Sequence, residues 1–204
     1  MAETFYIADS ANCPYGNKPP AEIIRLSKAN TEKLIAQGCG IIVVACNTAT
    51  AAAIDCLRCE YPAVEFVGIE PAVKPAALNS QSGIVAVLAT EGTFGGRLYR
   101  ETSARFAKNV TLIATVADEF VTMVERGETE GAEAEVKVRR RIEPLLAAGA
   151  DHIVLGCTHF PHLKKLIQKV ACGRAHVVDP SEAVARQILK IYELKTRGHD
   201  ETKS

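Results

Sequence analysis

Cys46 and Cys157 are the residues whose setting says most about chemistry. Cys46 closes the apolar run IIVVAC and is followed by Asn47 and Thr48; Cys157 closes HIVLGC and is followed by Thr158 and His159. A thiolate is a nucleophile or a base, and a free thiol with a pKa near ~8.5 is little ionised at neutral pH. A helix N-terminus lowers that value through its backbone N–H groups and dipole. Cys46 stands directly before an Ala-rich helical stretch and is placed to feel this effect. His159 is placed to exchange a proton with Cys157 or to bind a substrate carboxylate. Two thiols facing one carbon from opposite sides suit a particular reaction: one removes a proton from a stereocentre and the other delivers one. The product is the mirror image, and neither a metal nor an organic cofactor is required.

The two settings are copies of one pattern. EKLIAQGCGIIVVACNT (32–48) aligns without a gap over EPLLAAGADHIVLGCTH (143–159), pairing Glu32 with Glu143, Leu34 with Leu145, Gly38 with Gly149 and Cys46 with Cys157. Each copy reads as a helix stopped by a glycine, then a buried strand, then a cysteine. Any two helix–glycine–strand units share that outline, but a buried strand end needs no thiol for packing. The repeat predicts two related lobes, each presenting a cysteine at the carboxyl end of a parallel strand, where open α/β sheets carry their ligand sites.

The elements that must position these residues follow the same logic. Strands are predicted over 5–9 (FYIAD), 41–46, 64–69, 83–90, 110–116, 152–157 and 176–179. Helices are predicted from Thr48 towards Glu60, from the Pro71–Pro75 segment, after the EGTFGG turn, over 119–146 with a break near Gly127, and over 182–194. Continuous apolar strands between amphipathic helices imply parallel sheets covered on both faces, hence an α/β fold of two pseudo-symmetric lobes with the site in the cleft between them. The lobes are expected at 1–70, completed by 179–204, and at 71–178.

Composition narrows the function classes. Lys plus Arg total 24 and Asp plus Glu total 24, so the formal net charge is zero, which disfavours a nucleic-acid or polybasic membrane binder. The apolar runs fall well short of the ~20 residues of a membrane span. The opening MAETFYIADS lacks the basic and long apolar regions of a secretory signal. The 7 cysteines are therefore read as reduced thiols of a cytoplasmic protein.

VACNTATAAA (44–53) and LGCTHFPHL (155–163) resemble the two signature segments of the glutamate racemases, within the aspartate/glutamate racemase superfamily. DSANCPYGNKP (9–19), GIEPAVKPA (68–76), ATEGTFGG (89–96) and DEFVTMVERG (118–127) agree with that family, and the resemblance runs from about Tyr6 to about Leu189. It implies cofactor-independent interconversion of L- and D-glutamate, supplying D-glutamate for peptidoglycan, often in a homodimer. Carried over by residue, Cys46 and Cys157 become the acid/base thiols, His159 the polar partner of Cys157, and Glu125 the acid that assists it. Asn47, Thr48 and Thr158 match groups that hold the α-amino and α-carboxylate. Pro14, Tyr15 and Gly16 match the loop at the side-chain carboxylate. Thr90 and Thr93 lie on a turn whose backbone donors could hold a carboxylate. Asp9 and Ser10, at the head of the same loop, complete the substrate-side candidates, although Asp9 matches a second-strand aspartate of the family.

One departure carries its own expectation. The family's opening D-S-G-x-G-G strand and helix, with the aspartate that partners the first cysteine, have no counterpart here. The first lobe is therefore expected to lack one strand and one helix, and catalysis by this chain to be impaired. Two rival readings stay open: racemisation of aspartate or another acidic amino acid, and a non-catalytic relative that binds a metabolite or a protein such as a topoisomerase.

The remaining signals read as structural. Cys56-Leu57-Arg58-Cys59 lies late in a helix and lacks the four ligands zinc wants. Cys39 and Cys172 sit at glycine turns, and Cys13 lies in the substrate loop without needing to react. EGTFGG lacks the lysine of a phosphate loop, KVRRR (137–141) is offset by acidic neighbours, and His152, His162 and His176 have no evident ligand role.

Overall fold

In the computed structural model, residues 3–106 and 108–201 are described, residues 196–201 for their backbone alone. After a short 3-10 turn at Ser10–Asn12 the chain runs α1 (Pro20–Ala36), β1 (Ile41–Val44), α2 (Asn47–Glu60), β2 (Glu65–Gly68), α3 (Val73–Asn79) and β3 (Ile84–Ala89). It continues through α4 (Glu91–Phe94), α5 (Arg97–Phe106), β4 (Thr111–Val116), α6 (Asp118–Glu125), α7 (Ala132–Ala147) and β5 (His152–Leu155). A 3-10 turn at Phe160–Leu163 then leads into α8 (Lys164–Ala171), β6 (His176–Val178) and α9 (Ser181–Glu201). The fold is α/β, and every strand pair described is parallel.

β1 and β2 form a two-stranded sheet, and the other strands form a four-stranded sheet in the order β4-β3-β5-β6. β3 is central and fully buried from Val85 to Ala89, because helices cover both of its faces. Ala86 and Leu88 pack with Phe120, Ile142 and Leu155 on one side, while Val85 and Val87 pack with Val73 and Val154 on the other. That division is the two-residue period of a strand buried on both faces. The smaller sheet has its own core, where Ile42 and Phe66 meet Ala53, Ile54 and Leu57 of α2.

The internal repeat is reproduced in backbone detail. Gly38 ends the first copy's helix at φ 81° and Gly149 the second's at φ 87°, a left-handed conformation that favours glycine. Cys39 N donates to Leu34 O at 3.1 Å, and Ala150 N donates to Leu145 O at 3.0 Å, the same closing bond in both copies. Each helix thereby turns into a strand that leads to a cysteine.

Two expectations need correction. FYIAD (5–9) is not a strand: Phe5 and Tyr6 are exposed, and among the described residues no strand pairs with that segment. Its alternating apolar pattern satisfies propensity, but a strand exists only where its backbone groups are paired. The EGTFGG segment is not an open turn either, since Glu91–Phe94 coil into the short helix α4. Beyond the smaller sheet, Lys195 of α9 donates its Nζ to Gly40 O at 2.6 Å. Among the described residues no helix is long and apolar enough to cross a membrane.

Candidate active site

The sheet order makes β3 a switch point: the chain leaves it towards β4 on one side and returns to β5 on the other. Crevices outside the carboxyl ends of such strands are where open α/β sheets bind ligands. Most of the candidate residues emerge there: Thr90 and Thr93 after β3, Glu125 on the helix after β4, and Cys157, Thr158 and His159 after β5. Cys46, Asn47 and Thr48 follow β1 of the smaller sheet. The two cysteine turns meet directly, because Thr158 Oγ1 donates to Ala45 O at 3.2 Å.

Cys46 caps α2, its Sγ accepting from Ala49 N at 3.4 Å. Burial pushes this thiol up, and the N–H groups of Ala49 and Thr48 with the Thr48 hydroxyl only partly offset that. The helix terminus acts in the expected direction, but desolvation outweighs it. Burial likewise pushes Cys157 up to about 12, against one hydrogen bond from the His159 backbone; negative charge on Cys46 and Asp118 pushes the same way. Both thiols are therefore protonated at neutral pH in the free protein.

His159 links Cys157 to an acid. Its Nδ1 lies 3.7 Å from Cys157 Sγ, and its Nε2 lies 2.6 Å from Glu125 Oε1. The hydrogen bond from His159 holds the Glu125 carboxyl below its ordinary value, against slight burial. Glu125 also accepts from the Cys13 thiol, which burial and the Glu125 charge push up to about 11. Cys13, passed over in the sequence, thus touches the same group. Only its place in the CPYG loop hints at this, because Glu125 lies far along the chain.

Three hydroxyls form a buried cluster at the other end of the site. Thr48 Oγ1 and Thr90 Oγ1 are 2.7 Å apart, Thr90 and Thr93 are 3.0 Å apart, and Thr48 and Thr93 are 3.4 Å apart. Three backbone donors of the Thr90–Thr93 turn have partners within the protein: Gly92 N donates to Gly16 O at 3.1 Å, Thr93 N donates to Thr90 O at 3.1 Å, and Glu91 N donates to Asp118. Asn47 is buried, with Nδ2 donating to Ile69 O at 3.3 Å while its Oδ1 finds no partner among the described residues.

The CPYG loop is held from both ends. Asp9 accepts from Tyr15 Oη at 2.5 Å, Asn12 Nδ2 at 2.7 Å and Asn30 Nδ2 at 3.2 Å. Burial opposes its charge, but these bonds and Lys33 outweigh it and lower its pKa. The Asp9 carboxylate therefore organises the loop, while Ser10 is exposed in the 3-10 turn. Pro14 is exposed, Tyr15 half-buried and Gly16 buried. A Cβ at Gly16 would lie 2.8 Å from Asp118 Oδ1 and 2.9 Å from Thr90 Cβ, so only glycine permits this approach. An apolar cavity of about 240 Å³ lies behind the cysteine turns, between β1 and α9, and reaches the site at Asn47, Cys157 and Thr158.

The family model for Asp/Glu/hydantoin racemases matches residues 2–188. A curated glutamate racemase from Herpetosiphon aurantiacus is 42% identical over 189 residues, 93% of this chain and 74% of that protein. One from Methylococcus capsulatus is 44% identical over 92% of this chain and 69% of its own length. Among solved structures, Escherichia coli glutamate racemase in complex with L-glutamate and the activator UDP-MurNAc-ala superposes with a TM-score of 0.82 at 32% identity, covering 91% of this chain and 70% of that one. The Francisella tularensis enzyme with D-glutamate gives 0.78 at 26% identity, covering 92% of this chain and 70% of that one.

Proposed function

Because the chain belongs to the Asp/Glu/hydantoin racemase family, we propose that it is a glutamate racemase, interconverting L- and D-glutamate by proton transfer at the α-carbon. The observation that carries this reading is the pair of matched cysteine turns, one from each copy of the repeat, that meet where Thr158 Oγ1 donates to Ala45 O. One thiol, as thiolate, takes the α-proton; the other, still protonated, delivers a proton to the opposite face. After each turnover the two have exchanged protonation states, and solvent resets them.

Each remaining group has a part suited to its chemistry. The α-proton of an amino acid is weakly acidic, so the site must stabilise developing negative charge with donors fixed in place beforehand. The hydroxyls of Thr48, Thr90 and Thr93 are such donors, while the Thr158 oxygen, its proton given to Ala45 O, is left as an acceptor for the substrate ammonium. The unpartnered Asn47 Oδ1 is an acceptor suited to the substrate ammonium. His159, held by Glu125, takes up or returns the Cys157 proton. Pro14, Tyr15 and Gly16, in the loop anchored by Asp9 and Ser10, face the side-chain carboxylate. The division into lobes at 1–70 with 179–204 and at 71–178 belongs to this reading, with the Lys195–Gly40 bond in its support. So do a homodimer, a cytoplasmic location and delivery of D-glutamate to peptidoglycan.

The test is to incubate the protein with L-glutamate and follow its optical activity. The reading expects decay to the racemate, and slower decay with L-aspartate. Calorimetric binding of glutamate with unchanged optical rotation would overturn it in favour of a binding protein.

A further inference from the structure

Cys13, Glu125 and His159 offer a thiol, a carboxylate and an imidazole nitrogen whose ligand atoms all lie within 4.8 Å of one another. They come from separate parts of the chain: the CPYG loop, the end of α6 and the turn after β5. Glu125 is exposed and the other two are half-buried, so an aqueous ion can reach them. Zinc binds sulfur near 2.3 Å and nitrogen or carboxylate oxygen near 2.0–2.2 Å, which sets its ligand atoms roughly 3–4 Å apart. Side-chain movements of about 1 Å bring this trio to that spacing. Water is left as the fourth ligand, the arrangement of an open zinc site.

We infer that Cys13, Glu125 and His159 form a zinc-binding site at the mouth of the cleft, and that the bound ion reversibly inhibits the protein. A thiolate with an imidazole selects zinc over magnesium or calcium, which take oxygen ligands. Binding displaces the Cys13 proton to solvent and occupies the lone pair of His159 Nε2, the nitrogen now facing Glu125 at 2.6 Å. His159 then carries its proton on Nδ1, the atom 3.7 Å from Cys157 Sγ. Fixed in that tautomer and parted from Glu125, it can no longer take up the Cys157 proton. Metal binding stands on the side-chain cluster alone; the inhibition rests on the racemase reading.

The test uses a Cys56→Ser/Cys59→Ser background, which removes the C-x-x-C as a competing ligand pair. Cobalt is titrated as a spectroscopic stand-in, and zinc is measured by calorimetry. The inference expects one equivalent of metal and a thiolate-to-cobalt charge-transfer band. Adding Cys13→Ser should abolish the band and weaken zinc by more than roughly tenfold, a loss that even an outer-shell partner can bring. Glu125→Gln should weaken zinc in its own right, which keeps the test open if the cysteine variant fails to fold. Zinc should also stop racemisation of glutamate by the parent protein, and a chelator should restore it. Affinity untouched by Cys13→Ser, or a band lost only with Cys157→Ser, would overturn the site. Zinc bound at one equivalent with racemisation unimpaired would overturn the inhibition. Zinc binding in a protein that never racemises glutamate would leave the site standing and sink the racemase reading instead.

Discussion

Burial raises the pKa of Cys46 and Cys157 and holds both thiols protonated, and the proposed mechanism asks one of them to act as a base. A base must be unprotonated to work, so the working fraction of enzyme grows with pH. The sign follows from pKa values raised above the ordinary thiol range: kcat/KM for either enantiomer should climb from about pH 7 to about pH 9, which initial rates across that range will show. A profile that is flat or falling there would contradict thiol bases. Cys46→Ser and Cys157→Ser should each lower racemisation by roughly 10²–10⁴-fold or more, the range of general acid–base catalysis. Both should keep the parent's circular dichroism and melting temperature. The two cysteines and His159 are legible in the sequence because repeat, spacing and motif agree on them. The Cys13–Glu125 contact is not, because neither residue type announces a partner so distant in sequence.

At the scale of elements, the apolar runs locate most strands: β3 and β5 are buried on both faces and leave a continuous signal, while β4, partly exposed along its length, is marked by its β-branched residues. FYIAD satisfies the same propensity and fails, since pairing is a property of neighbours and not of the run itself. EGTFGG misleads for the opposite reason: its glycines look like loop residues, yet Gly92 and Gly96 serve close packing, with added Cβ atoms falling 2.7 Å from Thr48 Cγ2 and 2.5 Å from Ala51 Cβ. Asp151 shows how one carboxylate fixes the far end of β3 and β5. It accepts from Ser80 Oγ at 2.7 Å, Gln81 N at 2.6 Å and Ser82 N at 2.8 Å, with His152 Nδ1 at 2.9 Å. Burial opposes its charge, but these bonds outweigh it and hold the carboxyl well below the usual range. The stabilisation is therefore complete above the unfolded carboxyl pKa of about 4 and fades as pH falls through and below it. Asp151→Ala should cost about 2 kcal/mol at neutral pH. Denaturant melts should show that deficit shrinking in acid.

At the scale of the whole molecule, the two cysteine turns and the CPYG loop converge on β3's carboxyl end, and the convergence depends on contacts too tight for side chains. Gly16 is the tightest on the loop, lying against Thr90 and Asp118. Gly16→Ala should cost about 1–3 kcal/mol, as overpacking does. It should also raise KM for glutamate, because the loop can no longer close on the Thr90–Thr93 turn. A melt and a Michaelis curve check both effects. The account's central claim is that one thiol from each copy of the repeat serves one face of the α-carbon. A thiol carries a single proton, so a one-thiol route would hand the substrate its own proton back. The direct measurement is racemisation of L-glutamate in D2O, with mass analysis of each enantiomer at early times. The account predicts D-glutamate carrying one α-deuterium while unreacted L-glutamate stays protiated. D-glutamate that keeps the original α-proton would contradict it.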